Sequence, residues 1–134
     1  MSSNEQTVKN LYAAFQRADV AAILGYVADE VDWRHDQVES RECPWNGNFS
    51  GKVNLPGFFK AVDEHLDIAV FDVKTIVASG SFVAVYLRIE STLRKNGRAL
   101  KNDAVHFWTF NASGKIARYR HFNDTAAELA AWRG

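Results

Sequence analysis

The sequence predicts an α+β domain in which helices pack on one face of a curved antiparallel sheet. Three observations carry that prediction. Val8, Leu11, Tyr12 and Phe15 recur at helical spacing near the start of the chain. The second half holds four long β-prone runs joined by short polar links. No linker, internal repeat or low-complexity tract divides the 134 residues, so residues 1–134 form a single domain large enough to bury a core.

Taken in order, Thr7 to Arg17 reads as an amphipathic helix. Asp19 is placed to cap a second, short helix with Ile23, Leu24 and Val27 as its apolar stripe. "VDWRHDQV", residues 31–38, alternates apolar and polar and predicts a short strand. "ESRECPWNGNFSGKVN", residues 39–54, is dense in Pro, Gly, Asn and Ser and reads as loop. Asn54 before Leu55-Pro56 starts a third helix, because the first turn tolerates a residue without an N–H. That helix carries Phe58, Phe59, Val62 and Leu66.

"IAVFDVKTIVAS", "FVAVYLRIESTL", "ALKNDAVHFWTF" and "KIARYRHF" are the four β-prone runs. The links "GS", "RKNGR" and "NASG" suit hairpins, which makes the four runs an antiparallel meander. "DTAAELAAW" closes the chain as a helix capped by Asp124 or Thr125.

Composition narrows the function. Sixteen basic and sixteen acidic residues cancel, so no bulk field draws the chain to nucleic acid or to an anionic membrane, and neither is an expected partner. No apolar run approaches the roughly 20 residues of a membrane helix. The N-terminus lacks the pattern of a signal peptide, which leaves a reducing, cytoplasmic location as the expectation. A single cysteine, Cys43, excludes an internal disulfide and a Cys-based zinc site. Four Trp and nine Phe are many for this length, and suit a core, an interface or an apolar pocket.

Strand parity assigns the faces. From Phe82 to Leu93 the odd positions, Val83, Val85, Leu87 and Ile89, form the inner face. Centring the hairpin on Asn96-Gly97 sets Leu87 opposite His106 and Val85 opposite Trp108. Closing the next hairpin across "NASG" sets His106 opposite Tyr119 and Ala104 opposite His121. His106 and His121 are then diagonal neighbours, their Cβ atoms about 7 Å apart. The outer face presents Tyr86, Arg88, Phe107, Arg118, Arg120 and Phe122, and is expected to pair with a second subunit in a homodimer. The run from Ile68 to Ala78 is apolar on both faces and its pattern does not orient it.

"YAAFQRADVAAILGYVADEVDW", "PWNGNFSGKVNLPGFF" and "VHFWTFNASGKIARYRHFND" follow one another in an order that resembles the SnoaL-like polyketide cyclases. These belong to the superfamily of nuclear transport factor 2-like and ketosteroid isomerase-like proteins. The resemblance covers nearly the whole chain. It implies a cone-shaped barrel, with N-terminal helices against a strongly curved antiparallel sheet, a pocket at the open end and a dimer built on the sheet. His106 matches a histidine that such cyclases keep, and His121 stands where they place a general acid/base aspartate. Against steroid isomerases, Leu11 with Tyr12 beside it meets the catalytic tyrosine, His35 or Asp36 the general base, and His106 the oxyanion-hole aspartate. His106, His121, Asp36 and Tyr119 also resemble in kind the inventory of scytalone dehydratase.

The expected catalytic residues are therefore His106 and His121, since imidazole titrates near working pH. Tyr119, Trp108, His35, Asp36, Trp33, Phe59, Leu87 and Tyr12 are the expected pocket residues. The expected ligand is a small apolar or aromatic molecule bearing a carbonyl, open to isomerisation, aldol cyclisation or loss of water. No cofactor is expected, because a carbonyl is its own electron sink. No metal is expected either, because the spacing of His35, His106 and His121 does not demand one. The alternative is a ligand-binding or dimerisation module of the same fold without catalysis.

Overall fold

The computed structural model of the protein describes residues 3–36 and 42–134. The end of the strand expected over 31–38 and the start of the loop expected from 39 lie outside the described residues. Helix α1 spans Ser3–Gln16 and buries Val8, Leu11, Tyr12 and Ala14. The chain reverses at Ala18, whose φ of 57° lies in the left-handed region, and the Asp19 N–H donates back to the Ala14 carbonyl. Helix α2 follows, Val20–Gly25, capped as expected by the Asp19 carboxylate on the Ala22 N–H. Val27 does not extend that helix. It opens strand β1, Val27–His35, because the Tyr26 carbonyl already accepts from Ile116 and draws the chain into the sheet.

Strand β2, Gly47–Asn48, and a 3₁₀ turn, Lys52–Asn54, lead into α3, Leu55–His65. Asn54 precedes the helix but its side chain does not cap it, donating instead to the Ser50 carbonyl. Strands β3, Leu66–Ser79, β4, Phe82–Leu93, β5, Ala99–Phe110, and β6, Ile116–Asn123, form the expected antiparallel meander. Helix α4, Thr125–Arg133, is capped by Asp124 on the Ala127 N–H. No described helix is long and apolar enough to cross a membrane.

Among the described residues the sheet order is β2-β1-β6-β5-β4-β3. β1 runs parallel to β6, so the sheet is mixed rather than wholly antiparallel, and it is open rather than closed into a barrel. The helices cover its inner face. That parallel pairing sets Trp33 beside Tyr119 and His35 beside His121.

Both hairpins depart from the expected register by two residues, which keeps the side chains of β4, β5 and β6 from Arg118 onward on their expected faces. In the first, Val85 faces His106 and Leu87 faces Ala104. The turn centres one residue earlier than expected because Gly97, at φ 73°, donates its N–H to the Leu93 carbonyl and returns the chain to pair with Leu93. In the second, His106 faces His121 directly and Trp108 faces Tyr119. Phe110 pairs with Ile116 and Thr109 with Arg118, so Ala117 is an extra residue on β6. This bulge lets both Ile116 and Tyr119 point inward although three positions separate them.

β3 carries two such extra residues, Ala69 and Lys74. Each shifts the inward parity, which explains why the apolar pattern of that run names no face. On the outer face, Phe82, Tyr86 and Phe122 are each more than two-fifths exposed.

Candidate active site

Between the inner face of the sheet, α1, α3 and the start of α4 lies a cavity that is partly open to solvent. Its wall is almost entirely apolar. Of the expected site residues, His106, His121, Tyr119 and Trp108 line it from β5 and β6. Trp33 and His35 reach it from β1, Tyr12 from α1 and Phe59 from α3. Leu87 does not. The two-residue register difference sets it against Ala104, where it is wholly buried in the core. Asp36 stands behind the wall, in contact with His121.

His106 is held by a chain of donors. The Trp108 indole N–H donates to the Tyr12 hydroxyl at 3.1 Å, and that hydroxyl lies 2.7 Å from His106 Nδ1. With the indole proton on the hydroxyl oxygen, the phenolic proton is free to point at Nδ1, which selects the tautomer with a bare Nδ1. The neutral His106 ring then carries its own proton on Nε2, a buried atom with no protein partner. In that tautomer the Nε2–H of His106, a residue of the cavity lining, has no protein acceptor.

His121 has the opposite polarity. Its Nδ1 donates to the Asp36 carboxylate at 3.0 Å, which leaves the Nε2 lone pair as the ring's basic atom. Asp36 ends β1 at φ 45°, in the left-handed region that costs a non-glycine residue about 1 kcal/mol. Its own N–H donates to the His121 carbonyl, so the same peptide fixes the strained residue and the imidazole it serves.

A third imidazole, His35, stacks on His121 with ring centroids 3.7 Å apart and planes 15° from parallel. Its Nδ1 donates to the Asn46 side-chain oxygen at 3.0 Å, while the Asn46 amide nitrogen donates to Glu128. The Trp45 indole also donates to Glu128, at 3.0 Å. Glu128 is wholly buried in the first turn of α4.

Burial dominates the electrostatics. It lowers His35 and His121 to about 3, and lowers His106 well below the usual histidine value, so all three rings rest neutral. It raises Asp36 to about 6, against a nearby His35 and the Asn123 backbone N–H, which favour the carboxylate. It raises Glu128 to about 7, with the Asp36 charge adding to the rise. The Tyr12 and Tyr119 hydroxyls are raised above the usual phenol range by burial and stay protonated.

His35, Asp36 and His121 offer ligand atoms within 4.8 Å of one another, as a metal site would. The stacking argues against a shared ion. Lone pairs in two nearly parallel ring planes 3.7 Å apart do not converge on one point about 2.0–2.1 Å from each nitrogen. These groups are better matched to one another as hydrogen-bond partners.

Sequence reasoning passed over Glu128 and Asn46. Glu128 sits in a helix pattern where an acidic residue near the N-terminus reads as a dipole partner, and Asn46 in a loop where it reads as a turn residue. Trp45 is buried and also lines the cavity, whereas Phe49 does not line it.

The family model for the SnoaL-like domain matches residues 8–119. Among solved structures, an NTF2-like protein from Burkholderia pseudomallei K96243 superposes with a TM-score of 0.87 at 27% identity, covering 98% of each chain. TerC, co-crystallised with polyporic acid, superposes with a TM-score of 0.83 at 25% identity, over 99% of this chain and 100% of its own. An NTF2-like protein from Burkholderia thailandensis E264 does so with a TM-score of 0.85 at 25% identity, over the whole of both chains. No curated protein matches the chain.

Proposed function

The chain belongs to the SnoaL-like family, and we propose that it binds a small apolar, oxygenated molecule and moves a proton next to a carbonyl. One observation carries this reading: His106 and His121 face each other across one strand pair with opposite hydrogen-bonding polarity. His121 Nε2 takes a proton from the carbon beside the carbonyl. The C–H electron pair becomes a carbon–carbon π bond, and the carbonyl π pair moves onto oxygen. His106 Nε2–H holds that oxygen as its charge develops. Asp36 stabilises the imidazolium that His121 becomes.

Return of the proton to a different carbon is isomerisation, attack of the enolate on a second carbonyl is aldol cyclisation, and expulsion of a β-hydroxyl is dehydration. The carbonyl accepts the electron pair, so this chemistry asks for no cofactor. TerC, of the same fold, was co-crystallised with polyporic acid, which supports a small organic ligand for this chain.

The test needs no natural substrate. In D₂O, 4-chromanone should exchange its C3 protons faster with the protein than without it, as followed by proton NMR. His121→Ala should return the rate to background in a chain that circular dichroism shows to be still folded. Exchange equal with and without the wild-type protein would sink the reading.

The outer face supports a homodimer. Phe107 contacts both Phe82 and Phe122, at ring centroids 5.5 and 6.0 Å, in an aromatic strip that is partly exposed. Light scattering should report twice the chain mass, and Phe122→Glu should halve it. A monomeric wild-type protein excludes the dimer.

A further inference from the structure

Among the described residues two carboxylates are buried, Asp36 and Glu128. Asp36 serves His121, but the proposed proton transfer leaves Glu128 without a task. A buried carboxylate is costly unless it is well bonded, so its partners define its role.

Both oxygens of Glu128 accept hydrogen bonds. Oε2 accepts from the Trp45 indole at 3.0 Å and from the Asn123 amide nitrogen at 3.5 Å. Oε1 accepts from the Asn46 amide nitrogen. That bond fixes which end of the Asn46 amide is which, because an ionised carboxylate can only accept. The Asn46 oxygen is therefore the end that lies 3.0 Å from His35 Nδ1, and a carbonyl oxygen also only accepts. The neutral His35 ring then carries its proton on Nδ1.

That position bears on the base. His35 Nδ1 lies 4.0 Å from Asp36 Oδ2, the same oxygen that accepts from His121 Nδ1 at 3.0 Å. The two stacked rings thus bring both Nδ1–H groups near one carboxylate oxygen. A proton on His35 Nδ1 supports the Asp36 charge, whereas a bare Nδ1 would set a lone pair against it.

We infer that Glu128 is a positioning residue, which acts through the Asn46 amide to hold the His35 proton on Nδ1, beside the Asp36 carboxylate. The chain of bonds runs from α4 through the segment before β2 to the end of β1, and so ties the last helix to the histidines. It rests on the proton-transfer reading only in its last link, where Asp36 assists His121.

Glu128→Gln tests the inference. Trp45 can only donate, so the carboxamide oxygen of the variant takes the place of Oε2 and its NH₂ group faces Asn46. Asn46 must turn over to accept, which sets its own NH₂ against His35 Nδ1 and drives the His35 proton to Nε2. Proton–nitrogen correlation NMR of the imidazole nitrogens reads the tautomer, with the His35 signals identified by their loss in His35→Phe. At about pH 8.5 Glu128, raised to about 7, is ionised. Wild-type His35 should then show its proton on Nδ1, and Glu128→Gln should show it on Nε2. Exchange of the 4-chromanone protons should fall about tenfold in the variant, as for the loss of one unit of basicity.

Adding Trp45→Phe to Glu128→Gln removes the fixed donor, so the carboxamide can turn its oxygen back to Asn46. The His35 proton should return to Nδ1, whereas a merely structural defect would deepen with the second change. A wild-type His35 protonated on Nε2 overturns the inference and needs no variant to fold. An Nδ1 proton that persists in Glu128→Gln overturns it too, as does exchange unchanged once the tautomer has moved. Tautomers as stated, with no exchange by the wild-type protein, refute only the proton-transfer reading.

Discussion

His106 and His121 are the same residue type, equally buried, and directly opposed on neighbouring strands. They differ in what holds Nδ1. A phenol backed by an indole meets His106 there, and a carboxylate accepts a hydrogen bond from His121. In the proposed reaction the first ring then serves as a donor and the second as a base. An imidazole's chemical role is set by its partner at the far nitrogen, and burial alone does not choose it.

Asp36→Asn should break the comparison most severely. Asparagine can still accept from His121 and suits the left-handed backbone, so orientation is retained while the charge is lost. Proton exchange should fall about 100-fold, within the range for loss of positioned acid–base assistance. The pH profile should change with it. Asp36 is raised to about 6, so wild-type exchange should be full above pH 6 and decline as the pH falls through 6. In Asp36→Asn that limb should vanish, and a limb that persists would assign it to another group.

Tyr12→Phe acts on the other ring. It strips Trp108 Nε1 of its acceptor and leaves His106 Nδ1 without its donor, at a cost of about 1–3 kcal/mol in stability, measured by urea unfolding. Exchange should fall about tenfold with the pH limb near 6 unmoved, because Asp36 is untouched. A shift of that limb would mean that the two imidazoles titrate as one unit.

The smallest effect sharpens the His121 side. His35 is lowered to about 3 in the folded chain against 6.5 ordinarily, so unfolding takes up a proton below pH 6.5. Its contribution is full above pH 6.5 and is lost as the pH falls toward 3. His35→Phe keeps a flat ring against His121 and removes that sensitivity. Between pH 7 and pH 5 the variant should lose about 1–2 kcal/mol less stability than wild type, again by urea unfolding. Equal losses would show that His35 does not carry the acid sensitivity.

Local pattern made much of this legible. Asp19 and Asp124 read as caps because a carboxylate before an apolar run has orphan N–H groups to serve, and both do cap. Alternation in 82–93 and 105–110 placed His106 inward, and closing the hairpin across "NASG" placed His121 beside it. Asp36 was legible as a site residue by resemblance, but neither its partner nor its strained backbone was. Glu128 and Asn46 were not legible as a pair, since 82 residues separate them along the chain.

By itself the sequence determined which side chains share a face, because a period of two survives any even slip between strands. Only the tertiary structure decided which of them touch. The Gly97 and Gly114 turns, the Ala117 bulge and the parallel entry of β1 beside β6 set the register that opposes His106 to His121 and brings Asp36 behind it. Those choices depend on contacts between distant segments, and a local pattern of apolar and polar residues does not contain them.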